Sequence, residues 1–120
     1  MAEEFVGPGL RAELREQGGI AVVSPAGAVD TATAYILQNA LIEAIARAPN
    51  LLVVDMTGVD FIDSAGLGVL VMALKRMTQR RAALRLVVPD PHVREIFEYT
   101  GLERVFALFQ DANAARKAPL

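Results

Sequence analysis

The stretch LLVVDMTGVDFIDSAGLGVLVMALKRM, Leu51 to Met77, decides the fold. Its first six residues form a short, continuous apolar run, the pattern of a strand buried on both faces of a sheet. From Ala65 to about Arg80 the period changes to that of a helix, with Leu67, Leu70, Val71, Leu74 and Met77 recurring on one face. Between the two lies the corner DFIDSAGLG, Asp60 to Gly68, where a serine and two glycines stand in place of good helix formers. A strand followed by a corner and a helix is one half of a crossover, so the neighbouring strands are expected to run parallel.

The same alternation extends in both directions. Upstream, Leu10, Ala12 and Leu14 alternate with Arg11, Glu13 and Arg15, the period of a half-buried strand. Gly18-Gly19 marks a hairpin turn, and IAVVSPAGAV returns as a second strand. Pro25 has no amide to donate, so this strand is expected to be irregular or at an edge near Ser24. Asp30, Thr31 and Thr33 offer caps for a helix whose apolar face is Ile36, Leu37, Ala40, Leu41, Ala44 and Ile45, ended by Pro49-Asn50. Downstream, LRLVVP is a further buried strand, and Asp90-Pro91 opens a third helix that Gly101 closes. VFALF reads as a last short strand, followed by a weak helix over residues 111–118. The predicted order is ββαβαβαβα: an α/β fold with one mixed sheet, an N-terminal hairpin leading into parallel strands, and helices packed against it. A chain of 120 residues suits one domain, with a core over about 9–110.

Composition excludes several classes. No cysteine is present, which removes disulfides and thiolate catalysis, and His92 is the only histidine. Net charge is −2 and no basic run exceeds Arg80-Arg81, so clustered phosphate contacts with a nucleic acid are not expected. Apolar residues make up 53% and mean hydropathy is +0.35, yet the run from Ala65 to Leu74 is half of the roughly 20 residues a membrane span needs. The start MAEEF is acidic where a signal peptide is basic, so the expected location is the cytoplasm.

The corner does not read as an active site. Asp60 and Asp63 precede Ser64 where a hydrolase elbow would have glycine, and GLG lacks the Gly-Lys-Ser/Thr ending of a phosphate-binding loop. No cofactor or metal is expected. Asp63 or Ser64 is a favoured helix cap, which leaves the hydroxyl exposed and free N–H groups behind it able to hold a phosphate. Phosphorylation would add about −1.5 to −2 charges beside Asp63, a local switch that leaves the fold intact. Each glycine in a helix costs about 0.5–1 kcal/mol against alanine, so each needs a reason: close packing on the sheet, or a surface free of side chains for a partner. Ala65, Gly68, Val69 and Met72 project towards the polar side next to Ser64, an apolar patch that suits docking.

LLVVDMTGVDFIDSAGLGVLVMALKRM, followed by LRLVVPDPHVREIFEYTGLERVF, resembles the STAS domain of anti-sigma factor antagonists over about Gly19 to Phe109. The Asp-Ser-x-Gly-Leu-Gly motif and the Thr-Gly-Leu run are its most specific parts. The resemblance implies that the unphosphorylated chain binds a cognate anti-sigma factor, an ATP-dependent serine kinase, and so frees a sigma factor. It implies that the kinase phosphorylates Ser64, which dissociates the complex, and that a PP2C-type phosphatase resets the switch. Asp63, Ser64, Gly66, Leu67 and Gly68 match the motif, and Ala65 takes a place often held by Ser or Thr. In GAVD, Gly27 and Asp30 match the family's Gly-Glu-Ile/Leu-Asp while Ala28 replaces the glutamate, so Asp30 would line the same corner. The partner-binding set is thus Asp30, Asp63, Ser64, Ala65, Gly66, Leu67, Gly68, Val69 and Met72. Resembling domains also serve as subunits of membrane transporters or of stress-sensing scaffolds, and these remain alternative roles.

Overall fold

The computed structural model describes residues 2–119. Its strands are β1 (Ala2–Gly7), β2 (Leu10–Gln17), β3 (Ile20–Val29), β4 (Leu51–Asp55), β5 (Gly58–Ile62), β6 (Ala83–Val87) and β7 (Ala107–Phe109). Its helices are α1 (Ala34–Ala46), α2 (Ser64–Gln79), α3 (Pro91–Thr100) and α4 (Ala112–Lys117), with a 3-10 turn over Leu102–Arg104. The sheet runs in the order β1-β2-β3-β4-β6-β7, with β5 also paired to β3. β1, β2 and β3 are antiparallel, and every later pairing is parallel. This is the mixed sheet the pattern predicts, with two strands more than it predicts.

Local signals explain the turns. Gly18 and Gly19 hold φ of +61° and +80° in the two-residue loop between β2 and β3, a region that strains residues with a Cβ. Asp90 caps α3 by accepting from the His92 amide at 2.8 Å, Pro91 fills the first turn, and Gly101 closes the helix at φ +76°.

Alternation along β4 sets the two layers. Leu52 and Val54 join the main core with Leu14, Val23, Leu37, Leu41, Leu70, Met77 and Leu86, beneath α1, α2 and α3. Leu51 and Val53 face the other way, where Val87 and Ala115 of α4 complete a smaller cluster. Phe97 and Phe106 close the far end of the main core edge to face, centroids 5.9 Å apart at 87°. The smaller layer is fixed by a charge. Arg85 of β6 is 6% exposed and donates to the carbonyls of Ala115 (2.8 Å), Ala118 (2.7 Å) and Pro119 (2.7 Å) at the C-terminal end of α4. Its guanidinium also stands 5.7 Å from the Phe109 ring centroid. A cation suits carbonyls that a helix leaves without partners.

β3 is the strand that places the site. Ile20 to Val23 pair with β4, and Ala26 to Val29 pair with β5. Pro25 falls between these two sets, so its missing amide coincides with the change of neighbour. The strand is irregular there, but it is interior, since Ala12 of β2 pairs Pro25 on the other side. The pairing with β5 slips between Gly27 and Ala28, which leaves Asp60 as an extra residue between Val59 and Phe61.

Candidate functional site

α1 and α2 start side by side because β3 and β5 end side by side. The Asp63 amide donates to the Val29 carbonyl at 3.1 Å, tying the start of α2 to the end of β3 one residue before Asp30. Asp63 is the N-cap of α2. Its Oδ1 accepts from the amides of Ala65 (2.9 Å) and Gly66 (3.3 Å), while its carbonyl accepts from Leu67 (3.0 Å). Ser64 follows as the first helical residue and is exposed. The amides expected to be free behind the serine are therefore engaged by Asp63. A phosphate on Ser64 would stand outside this cap.

Asp30 organises the neighbouring turn. Its Oδ1 accepts from the amides of Ala32 (2.9 Å) and Thr33 (3.1 Å), with Thr33 Oγ1 3.1 Å away. Thr33 is the N-cap position of α1 but spends its hydroxyl elsewhere, donating to the Ala28 carbonyl at 2.7 Å and accepting from the Asp30 amide. Asp30 is half-buried, and Thr31 and Ala32 beside it are exposed. The corner thus sets the Asp30 turn and the Asp63-capped start of α2, with Ser64, side by side at the ends of β3 and β5, and each carboxylate is bonded to the amides of its own turn.

The two glycines separate cleanly. A Cβ on Gly66 would stand 2.7 Å from both Ile62 Cγ1 and Val29 Cγ1, so this glycine lets the first turn of α2 lie against β3 and β5. A Cβ on Gly68 would meet nothing within 4 Å. One glycine serves packing, and the other leaves an exposed surface bare.

Not all of the predicted partner surface lies on the outside. Gly66 is buried, and Leu67 and Val69 are each 7% exposed and belong to the core. Helical spacing predicts Val69 on the polar side, but it lies on the core face with Gly66, Leu70, Ala73 and Met77. Val71 and Leu74, expected in the core, are half-buried. The reason is that small residues, Gly66 and Ala73, mark the line of closest approach, whereas a wheel drawn from large apolar residues is centred about one position away. Asp30, Asp63, Ser64, Ala65, Gly68 and Met72 remain accessible, wholly or in part. Phe61, 48% exposed and paired with Ala28, adds an apolar side chain beside the corner that the sequence reading did not single out. Its only signal was its place between two aspartates, Asp60 and Asp63, which reads equally as loop.

His92 is exposed in the first turn of α3, away from the corner's carboxylates in sequence and element. Among the described residues no group of three or more His, Cys, Asp or Glu is arranged to hold a metal ion, and no helix is long and apolar enough to cross a membrane.

A mixed sheet whose parallel half delivers a capped, serine-led helix to an exposed corner defines a STAS-type module, and the chain belongs to the STAS domain family, which it matches over residues 11–115. It is similar to the anti-sigma-F factor antagonist RsfB of Mycobacterium tuberculosis, 31% identical over 100 residues that cover 83% of this chain and 81% of RsfB. The crystal structure of an anti-sigma factor antagonist from Mycobacterium paratuberculosis superposes with a TM-score of 0.84 at 28% identity, covering 92% of this chain and 94% of that one. SpoIIAA in its unphosphorylated form, an anti-sigma factor antagonist, has the same fold, with a TM-score of 0.72 at 20% identity over 86% and 91% of the two chains.

Proposed function

We propose that this chain is an anti-sigma factor antagonist whose binding is switched at Ser64. Unphosphorylated, it docks on a cognate anti-sigma factor, an ATP-dependent serine kinase of the cytoplasm, and a sigma factor is released. The kinase transfers phosphate to Ser64, the complex parts, and a PP2C-type phosphatase restores the hydroxyl. The accessible members of the corner, Asp30, Asp63, Ala65, Gly68 and Met72, meet the partner, while Gly66, Leu67 and Val69 shape the surface from beneath. The role is binding, and the chemistry belongs to the partners.

One observation carries this reading: an exposed serine as the first residue of α2, next to the Asp63 cap, in a chain whose relatives carry the name of anti-sigma factor antagonists. A phosphate there would bring about −1.5 to −2 charges to a corner already acidic, enough to expel a docked partner without altering the fold. The chain's other serine, Ser24, is half-buried within β3 and is not expected to react.

Purified kinases of the anti-sigma class from the host, incubated with the chain and ATP, test the assignment by mass spectrometry. The wild type gains one phosphate and Ser64→Ala gains none. Phosphate on Ser64→Ala would overturn it.

A further inference from the structure

The exposed side of α2 holds a groove that the corner does not account for. It has a volume of about 390 Å³ and is lined by Gly68, Val71, Met72, Lys75, Arg76 and Gln79. Its floor is apolar, from half-buried Val71 and Met72, and Gly68 leaves one end without a side chain. Lys75 and Arg76 are exposed on its rim, and among the described residues neither forms an ion pair. The other arginine nearby is committed: Arg80 donates to the Ile45 carbonyl at the end of α1. Two free cations therefore flank an apolar trough about 17 Å long from Gly68 to Gln79, at 1.5 Å per residue.

Spacing joins this trough to the switch. Ser64, Gly68, Met72, Lys75 and Gln79 recur every three to four residues, so they lie along one stripe of the helix with Ser64 at its N-terminal end. Such a stripe, with a gap at Gly68, is the shape into which the ridge of a second helix packs.

We propose that this groove receives an amphipathic, acidic helix of the anti-sigma factor partner, its carboxylates facing Lys75 and Arg76 and an apolar residue seated over Gly68. The inference rests on the reading of Ser64 as the switch and adds the chemistry of what is switched. Charge decides the occupant. A basic helix would be repelled by the two free cations, and an uncharged one would leave them unused. Ser64 lies one turn before Gly68 on the same stripe, about 6 Å along the axis, so a phosphate there would abut the end of the occupant. Its bulk and hydration then obstruct that end of the occupant, with no rearrangement of α2.

The test uses the host's anti-sigma factor kinase that retains the wild-type chain, purified, with dissociation constants measured by titration calorimetry. Lys75→Glu/Arg76→Glu is expected to bind about tenfold or more weakly, with added salt reducing that deficit because it screens the repulsion the reversed charges create. Gly68→Phe is expected to weaken binding similarly, with thermal unfolding run alongside to show that the variant is folded; a Cβ at this position meets nothing within 4 Å. Ser64→Asp is run alongside. If Ser64→Asp abolishes binding while both groove variants bind as the wild type does, the groove proposal is overturned and the switch stands. If only the groove variants fail, the groove stands and the switch falls. If none of the variants loses affinity, both are overturned.

Discussion

The carboxylate of Asp63 accepts the amide of Ala65 at 2.9 Å, so the residue before the serine holds the first turn of α2 from outside the helix. The same oxygen reaches the Gly66 amide at 3.3 Å. Asp63 is thus a structural part of the corner as well as a charge within it. Asp63→Ala should destabilise the fold by about 1 kcal/mol through loss of the cap, whereas Asp63→Ser should recover most of that. Urea denaturation of the two variants checks the pair. Equal losses would mean that the charge, not the cap, is what stabilises the turn.

Gly66 and Gly68 should answer the same substitution with opposite signs. Gly66→Ala drives a methyl to 2.7 Å from Ile62 and Val29 and should cost about 1–3 kcal/mol. Gly68→Ala meets nothing within 4 Å and should gain about 0.5–1 kcal/mol from helix propensity. Thermal unfolding of both resolves it. A stability gain at Gly68 together with weaker partner binding would show that its bareness is kept for docking.

Arg85 should prove essential to α4 and to little else. Arg85→Met removes three hydrogen bonds to carbonyls in and just after α4 from a buried site and leaves those carbonyls without their donor. The amides of Ala112–Lys117 should exchange with solvent about tenfold or more faster, while those of α1 and α2 change little. Arg85→Lys should rescue only in part, since a single ammonium cannot reproduce the planar fork that reaches Ala115, Ala118 and Pro119 together.

Ser64→Asp should weaken partner binding less than phosphorylation does, because one carboxylate brings about −1 where phosphate brings about −1.5 to −2. Titration of the purified kinase with unphosphorylated chain, Ser64→Asp and phosphorylated chain should rank them in that order. The three should have the same circular dichroism spectrum, since the cap of α2 is made by Asp63 and not by the modified residue.

Most of the architecture was legible because period and punctuation agree. The Leu51–Met56 run, the Gly18-Gly19 turn and the Asp90-Pro91 opening each predict their element from a distinct physical cause, and all three are found. The two strands that escaped notice did so for reasons visible in the fold. β1 lies at the sheet's edge, largely exposed, with Glu3 and Glu4 masking its alternation, and only Pro8-Gly9 signalled the turn into β2. β5 carries the extra residue Asp60, so Val59 and Ile62 are buried three apart and the period of two is broken. At the site, the motif itself was legible, and so was the exposure of Ser64. What could not be read was the roll of α2, which depends on how closely Gly66 lets it approach Ile62 and Val29. The engagement of the Ala65 and Gly66 amides by Asp63 was equally out of reach, because either Asp63 or Ser64 could have capped the helix.

Half-way along, β3 exchanges one companion for another, leaving β4 after Val23 and joining β5 at Ala26. The tip that carries Ser64 is consequently mounted on its own short ladder, apart from the rungs that run through the trunk of the molecule. Changes that retune which visitor is welcomed can accumulate at the exposed positions of that ladder and helix start, Asp60, Phe61, Ser64 and Gly68, while the buried residues between them keep the foundation standing as before.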